Sequence, residues 1–257
     1  MLAQITPVIL TYNEERNLAR TLAALCWARE IVIVDSCSDD GTAEIASRHA
    51  NVRFIRRRFD THAGQWNYAV RDTGVTTPWI LALDADYVVT PELVEELRSL
   101  SPDEGVVGYS ASFLYCVSGH PLRGSTYPPA VVLFRTGHGT YAQDGHTQRL
   151  RIEGRIGELR DPIRHDDRKT FARWLSSQLR YTELEARKLR STRWRSLPLA
   201  DKVRKSIMLA PALVFFYCLF VKGNVLDGLP GIRYACERAI AEALLSVRLL
   251  QKMLRID

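Results

Sequence analysis

The sequence predicts an α/β domain with a mainly parallel central sheet. Four short apolar segments begin near residues 5, 30, 52 and 79 and alternate with helical patterns, and a repeated β-α-β order builds a parallel sheet. Residues 79–83 are apolar throughout, as expected of a strand covered on both faces. The run ends in Asp84-Ala85-Asp86, and open α/β sheets bind ligands at the carboxyl ends of their strands. The fold class therefore also predicts where the site lies.

Element boundaries follow from apolar spacing and turn residues. Pro7 limits pairing of the first strand, so we expect it at one end of that strand or on an edge of the sheet. Thr90-Pro91-Glu92 starts a helix with a capping hydroxyl, a proline in the first turn and an acid near the positive dipole end. The predicted strands are 5–10, 30–34, 52–56 and 79–84. One predicted helix opens at residues 11–15 and carries Leu18, Leu22 and Leu25, two more span 43–49 and 65–71, and a fourth starts at residue 91. We expect helical, basic chain from Ile163 and further helices at 208–221 and 232–254.

Composition is that of an ordinary globular protein. The 257 residues are 46% apolar and 25% charged, enough for one large domain or a domain with an appendage. The five cysteines are widely spaced without a C-x-x-C pair, which argues against a disulfide framework or structural zinc and fits a reducing cytosol. The N-terminus lacks the basic start of a signal peptide, so none is expected.

The positive charge is concentrated in one segment. Residues 151–205 contain 16 Lys or Arg and 8 Asp or Glu, whereas the whole chain carries a net charge of only +6. This segment predicts an anionic membrane surface or a phosphorylated lipid as partner, and a solvated basic face is the alternative. Nucleic acid is not expected as a partner, since no recognisable nucleic-acid-binding motif is present.

An uncharged stretch follows the basic segment at residues 208–221. As a helix it would be about 21 Å long, which is short of the roughly 30 Å hydrocarbon core of a bilayer. We therefore expect an interfacial or re-entrant helix at the cytoplasmic face of the inner membrane. A core helix that covers the sheet is the alternative.

Asp84 and Asp86 are candidate metal ligands. If the chain stays extended, a period of two places both carboxylates on one side. Carboxylate oxygens suit Mg²⁺ or Mn²⁺, which usually reach a protein through one or two carboxylates together with substrate phosphates. The alternative is an acid in a turn that caps the next helix.

Three motifs, in this order and spacing, resemble glycosyltransferase family two, the inverting GT-A enzymes. They are Val-Ile-Leu-Thr-Tyr-Asn-Glu-Glu at residues 8–15, Ile-Val-Ile-Val-Asp-Ser-Cys-Ser-Asp-Asp-Gly-Thr at 31–42, and Leu-Asp-Ala-Asp at 83–86. A softer resemblance, to bacterial lipopolysaccharide-core β-1,4-glucosyltransferase-type enzymes, continues to about residue 245. It rests on Leu-Phe-Arg at 133–135, Gly145-His146, Arg173-Trp174 and Leu-Asp-Gly at 226–228.

The resemblance implies a GT-A catalytic domain at residues 1–165, with a nucleotide-sugar half to about residue 100 and an acceptor half beyond it. A basic and hydrophobic helical appendage, expected to associate with the membrane, follows at 166–257. The implied reaction moves a hexose, with inversion, from a nucleotide sugar, expected to be UDP-linked, to a lipid-linked or lipopolysaccharide-core acceptor.

The resemblance also implies roles for single residues. Asp35 accepts a hydrogen bond from the base, with a helix-capping acid as the alternative. Gln65 and Asn67 contact the donor, unless they are ordinary residues of a helix surface. The remaining implied roles are base and ribose binding by Thr11, Tyr12 and Glu14, a place near ribose and metal for Asp84, and direct binding of Mg²⁺ or Mn²⁺ by Asp86.

At the position expected for the catalytic base, this sequence differs from the family pattern. Inversion by single displacement needs a carboxylate that takes the proton of the acceptor hydroxyl, and the glutamate of related His-Glu motifs is here Thr147. Asp144 is the expected base, with a turn aspartate as the alternative. His146 is a supporting group or third metal ligand, unless it packs locally. Because Thr147 cannot act as a base, a non-catalytic, membrane-associated adaptor that binds nucleotide sugars is the competing hypothesis. A nucleotidyltransferase is disfavoured, because no Gly-rich loop follows the first strand.

Overall fold

The computed structural model describes residues 1–145, 147–207 and 209–254. The chain forms two compact units. The first comprises Met1–Cys116, Tyr127–Gln143 and Gln148–Arg168, and the second comprises Val117–Thr126, Asp144–Thr147 and the described part of Lys169–Asp257. The expected division after residue 165 stays a prediction.

The secondary structure is mixed α and β. The strands are β1 (Ile5–Thr11), β2 (Ile31–Asp35), β3 (Val52–Arg56), β4 (Trp79–Asp84), β5 (Tyr87–Val89), β6 (Val106–Ala111), β7 (Phe113–Val117), β8 (His120–Pro121), β9 (Ala130–Arg135), β10 (Gly139–Asp144), β11 (Thr147–Ile152), β12 (Arg155–Glu158) and β13 (Ile163–His165). The helices are α1 (Leu18–Ala23), α2 (Thr42–Ser47), α3 (His62–Arg71), α4 (Pro91–Ser99), α5 (Phe171–Ser191), α6 (Leu199–Lys205), α7 (Ala210–Phe216) and α8 (Gly228–Leu254).

Seven strands form the central sheet of the first unit, in the order β12-β6-β9-β4-β1-β2-β3. Strand β9 runs antiparallel to both of its neighbours, β4 and β6, and the other pairs are parallel. The predicted α/β class with a mainly parallel sheet is therefore confirmed. Strands β10 and β11 pair separately, and β13 lies between β5 and β7 in a smaller sheet.

The core explains the uninterrupted apolar strands. Alternate residues of β1, β2 and β4 belong to two clusters, one on each face of the sheet. Ile9 and Leu83 pack on the face that also buries Leu22 of α1, whereas Val8 and Ala82 pack on the face covered by α3. Because both faces are covered, these strands are almost wholly apolar before they reach the sheet edge. The polar exception, Thr6 of β1, is buried and accepts a hydrogen bond from the Thr77 hydroxyl.

Pro7 lies on a central strand and not on an edge, since β1 runs between β4 and β2. It is near the start of β1, and the recorded register with β2 begins only at Val8. The proline therefore precedes the ladder with β2, and on the other side of β1 it is in register with Leu81 of β4.

The expectation of helical chain from Ile163 is wrong. Residues Ile163–His165 form β13, and α5 begins only at Phe171, after a cap in which the Thr170 hydroxyl accepts a hydrogen bond from the amide of Arg173. Three residues are too few to show a period, and pairing with β5 and β7 decides their conformation. The last helix also starts earlier than expected, at Gly228, with Pro230 in its first turn.

The second unit is mainly helical. Helix α7 continues as a π-helical turn, Tyr217–Val221, and the chain then turns at Gly223, whose φ of 73° lies in the left-handed region. Met208, the first residue of the predicted apolar helix, lies outside the described residues. Within the described chain, no single helix has the length and apolar character to cross a membrane. Among the residues that the structure describes, length and apolar character sufficient for a span are reached only by a pair of segments together, Ala210–Val221 and Asn224–Leu254, which meet at a bend of 72°.

Candidate active site

Parallel pairing gathers the predicted site residues at one edge of the central sheet. Thr11 at the end of β1 is in register with Asp35 at the end of β2, and Leu10 is in register with Asp84 at the end of β4. The carboxyl ends of three adjacent strands thus carry Thr11, Asp35 and Asp84. This is the edge at which open α/β sheets bind ligands.

Asp35 is fully buried, with no exposed surface, and is held by neutral donors. Its Oδ1 accepts hydrogen bonds from the hydroxyls of Thr11 (2.8 Å) and Ser38 (2.5 Å), and its Oδ2 accepts from the Ser38 amide (2.8 Å). A carboxylate offers about four lone-pair positions, so one position remains after these three bonds. Asp35 therefore closes its own loop, and its contact with a base stays a prediction.

The two loops after β1 and β2 are fastened to each other. Asn13 has a left-handed φ of 57°, its amide donates to the Ser38 hydroxyl (2.7 Å), and its side-chain oxygen accepts from the Asp39 amide (2.9 Å). The Glu14 amide donates to the hydroxyl of Thr42 (2.7 Å). This network holds Tyr12 with 47% of its surface exposed at the sheet edge.

Glu14, which was expected to contact base or ribose, is buried. Its Oε2 accepts from the side-chain amide of Asn17 (2.8 Å), and the same Asn17 amide donates to Asp167 (3.0 Å). The Asn17 oxygen in turn accepts from Arg20 (2.8 Å) and from the amide of Arg168 (2.9 Å). Asn17 therefore ties the loop after β1 to the chain that follows β13.

The strand β13 brings His165 to Asp86. β13 runs antiparallel to β5 with His165 opposite Tyr87, the residue after Asp86, and the Asp166 amide donates to the Asp86 carbonyl (3.1 Å). As a result, His165 Nε2 lies 3.3 Å from Asp86 Oδ2, with only 12% and 13% of the two side chains exposed. The Nδ1 atom of His165 is buried and has no hydrogen-bond partner among the described residues.

The environment of His165 favours a positive charge. Burial by itself lowers its pKa, but the charge and hydrogen bond of Asp86 and the charges of Asp84 and Asp167 outweigh burial and raise the pKa above its ordinary value. The rings of Tyr87, Tyr115 and Tyr127 surround the imidazole edge-on, with centroids 5.2, 4.7 and 4.6 Å away. A cation placed here therefore meets several carboxylates inside an aromatic enclosure.

Asp84 contributes to the same electrostatic environment. The pKa values of Tyr87, Tyr127 and Tyr141 are raised, chiefly by burial and next by the negative charge of Asp84. These tyrosines therefore remain neutral hydroxyls at physiological pH. The hydroxyls of Tyr87 and Tyr127 also share a hydrogen bond.

Gln65 and Asn67 already use their amides within the protein. Gln65 is fully buried, donates to the Ser36 hydroxyl (3.1 Å) and the Arg57 carbonyl (3.2 Å), and accepts from the Arg57 guanidinium. Asn67 donates to the carbonyl of Tyr141 (2.9 Å) and accepts from its amide (2.8 Å). Both residues hold α3 in place, and their contact with the donor stays a prediction.

Asp144, the expected base, belongs to the second unit. Its Oδ1 lies 2.9 Å from the Lys188 ammonium, which is also within 4.0 Å of carboxylates of Glu185 and Asp201. The pKa of Lys188 is raised: burial lowers it, but these three acids outweigh burial. His146, the other predicted catalytic residue, lies outside the described residues.

The described residues contain no group of three His, Cys, Asp or Glu side chains positioned to hold a metal ion. The separation of Asp86 and His165 nevertheless fits two ligands of one metal ion. Two ligands bound at right angles, each about 2.1 Å from one ion, lie about 3 Å apart, and the observed separation is 3.3 Å. An imidazole nitrogen in the set favours a transition ion such as Mn²⁺ over Mg²⁺.

The fold and site define the class first: an α/β domain with a mainly parallel sheet whose ligand edge carries acidic side chains and a histidine. The chain matches the family described as Glycosyl transferase family 2 over residues 6–154. Since this is more than half of the chain, the protein belongs to glycosyltransferase family 2.

Three individual proteins illustrate what this chain is similar to. The chain is 31% identical over 171 residues to the lipopolysaccharide core biosynthesis glycosyltransferase LpsC of Rhizobium meliloti (strain 1021), a match that spans 61% of this chain and 60% of that relative. S. aureus TarS superimposes with a TM-score of 0.51 at 13% identity, covering 95% of this chain and 55% of TarS. Glucosyl-3-phosphoglycerate synthase from Mycobacterium tuberculosis, in complex with Mn²⁺, UDP and phosphoglyceric acid, reaches a TM-score of 0.33 at 17% identity, with 43% of each chain covered. The TarS likeness supports a shared fold and nothing further.

Sequence reasoning missed His165. It lies in an Arg-His-Asp-Asp sequence without helical or strand periodicity, and only the pairing of β13 with β5 shows that it meets Asp86. The signal that could have found it is the Asp-Pro turn between Leu159 and Ile163, which indicates a chain returning to the sheet.

Proposed function

We propose that this protein transfers a hexose, with inversion, from a UDP-linked sugar to a lipid-linked or lipopolysaccharide-core acceptor. The observation that carries the proposal is the Asp86–His165 pair at the ligand edge of a glycosyltransferase family 2 sheet. Similarity to a lipopolysaccharide core biosynthesis glycosyltransferase supports the acceptor class.

The first unit binds the donor in this proposal. The loops after β1 and β2 form a rigid frame for base and ribose, with Tyr12 exposed on it. Asp86 and His165 would hold the divalent ion, with Asp84 beside them, and when bound this ion neutralises charge on the departing diphosphate. Because His165 must be neutral to serve as a ligand, its raised pKa means that protons compete with the ion as the pH falls.

The proton of the acceptor hydroxyl goes to Asp144 in this proposal. The ammonium of Lys188, 2.9 Å away, stabilises the ionised carboxylate that a base must present. Reaction at the cytoplasmic face of the inner membrane completes the proposal, since a lipid-linked acceptor is confined there.

The test is metal-dependent release of UDP from a panel of UDP-sugars, with and without deacylated lipopolysaccharide core as acceptor. We expect acceptor-stimulated release with one UDP-hexose. We expect Asp86→Asn to lower it by about a thousandfold or more, because an ion that stabilises the leaving group accounts for several kcal/mol.

Glu104→Gln is the matched control, because Glu104 is an exposed acid just before β6, whose start lies at the opposite edge of the sheet from the end of β4. It should turn over like wild type. Binding of UDP-sugar without any release in the wild-type protein would instead support the adaptor hypothesis. Full activity of Asp86→Asn would exclude the assigned role.

A further inference from the structure

We propose that residues 209–232 form an in-plane anchor that inserts one apolar face into an anionic lipid bilayer. We define the apolar patch as six large side chains that are each more than half exposed: Leu213, Phe216, Phe220, Val221, Leu226 and Leu229. The most exposed, Leu229, presents 81% of its surface. Large apolar side chains clustered in one exposed segment mark an interaction surface.

Three members of the patch lie on one side of the helical stretch Ala210–Val221. Leu213, Phe216 and Phe220 recur at intervals of three and four residues, the spacing of a single helical face, and the rings of Phe216 and Phe220 stack with centroids 6.1 Å apart. Cys218 and Leu219, between them in sequence, are buried within the protein. One side of the segment is therefore packed and the other is presented outwards.

The second unit holds this segment in a fixed conformation. The Tyr234 hydroxyl bonds the amide and hydroxyl of Thr126 (2.8 and 2.9 Å), and Asp227 accepts from the amide of Arg123 (3.0 Å). Just after the bend, a side chain on Gly231 would collide with the carbonyl of Asn224, so the turn Asn224–Asp227 packs closely against the start of α8. The patch is preorganised, and binding need not order it.

Length excludes a simple membrane span. Ala210–Val221 would extend about 18 Å as a helix, well short of the roughly 30 Å hydrocarbon core, and it meets Asn224–Leu254 at a bend of 72°. Helix α8 also carries charged residues such as Arg238 and Arg248 along its length. An apolar face that lies in the membrane interface satisfies both constraints.

Charge complementarity favours anionic lipid as the occupant. The sequence just before the segment, residues 187–205, is strongly basic, with Asp201 as its one acid. Lys222, at the end of the π-helical turn, lies over the Tyr217 ring at 5.6 Å, a position from which its ammonium can reach headgroups. A second copy of the chain would bring an equally basic segment and would be repelled, whereas an anionic leaflet attracts it.

Cosedimentation of the full-length protein with vesicles tests the anchor. We expect binding to phosphatidylcholine vesicles that contain phosphatidylglycerol, and weaker binding to phosphatidylcholine alone. Phe216→Ser/Phe220→Ser, and separately Leu229→Ser, should each lower the partition coefficient about tenfold or more, because each removes large apolar side chains from the bilayer. Val247→Ser/Met253→Ser, which changes exposed residues of α8 outside the segment, should bind like wild type.

Two further measurements separate the electrostatic contribution to vesicle binding from the apolar one, and vesicle binding from sugar transfer. Arg193→Ser/Arg195→Ser should lose only the increment due to phosphatidylglycerol. UDP-induced thermal stabilisation should persist in the patch variants, because vesicle binding does not depend on sugar transfer, so failure of the anchor and failure of the proposed function are distinguishable. Wild-type protein that stays in the supernatant with both vesicles, or patch variants that bind like wild type, would overturn the anchor. So would a vesicle-free dimer that Phe216→Ser/Phe220→Ser abolishes.

Discussion

Two regions of the same sheet edge surround an aspartate in opposite ways. Asp35 is surrounded by neutral donors from Thr11 and Ser38, which fix its loop. Asp86 faces an imidazole whose pKa it helps to raise, with the charges of Asp84 and Asp167 acting on the same imidazole. The first arrangement is satisfied by the protein itself, whereas the second concentrates negative charge that a cation would stabilise. In the proposed function, the first arrangement would frame the nucleotide and the second would hold the divalent ion.

The largest effect expected from this comparison is a loss of Mn²⁺ affinity when the histidine beside Asp86 is removed. His165→Ala should weaken Mn²⁺ binding in the presence of UDP by about ten- to a hundredfold, the range seen when a group that supports a metal site is removed. Titration of Mn²⁺ followed by electron paramagnetic resonance measures it. In wild type the affinity should rise with pH, because protonation of His165 competes with the metal.

His138→Ala is the matched control, since His138 is an exposed histidine of the same unit. It should leave Mn²⁺ affinity unchanged. Equal affinity of His165→Ala and wild type would show that the Asp86–His165 contact is only a buried ion pair.

A smaller effect, on the free energy of unfolding, is expected when Asp35 loses one of its neutral hydrogen-bond donors. Thr11→Val and Ser38→Ala each remove one hydroxyl donor from the buried carboxylate of Asp35, which should lower the free energy of unfolding by about 1–3 kcal/mol. Urea denaturation measures this change. Ser47→Ala, at an exposed helix end, should stay within about 0.5 kcal/mol of wild type. If Thr11→Val and Ser38→Ala behaved like Ser47→Ala, the frame would not depend on Asp35.

The comparison also shows what sequence could and could not predict. Thr11, Asp35 and Asp84 follow apolar strands, so local patterns placed them at one edge and the recorded registers confirm it. His165 depends on the pairing of β13 with β5, strands that are far apart in sequence and too short to show periodicity. The ammonium beside Asp144 comes from α5, and no local pattern connects Lys188 with a hairpin more than forty residues earlier.

The smallest expected effect uses the cysteines to compare accessibility at the frame with accessibility in the core. Cys37 is exposed on the loop that Asp35 closes, with a left-handed φ of 64°. Cys116 is buried, and burial, together with the charge of Asp166, raises the pKa of its thiol to about 11. At pH 8 only about one Cys116 thiol in a thousand is ionised, so Cys37 should be alkylated by iodoacetamide and Cys116 spared until the protein unfolds.

UDP with Mn²⁺ should slow labelling of Cys37 severalfold, because the nucleotide covers its loop, and should leave labelling of the exposed Cys26 unchanged. Peptide mass spectrometry quantifies all three sites, and equal protection of Cys26 and Cys37 would mean that UDP acts through overall stability and not by occupying this loop.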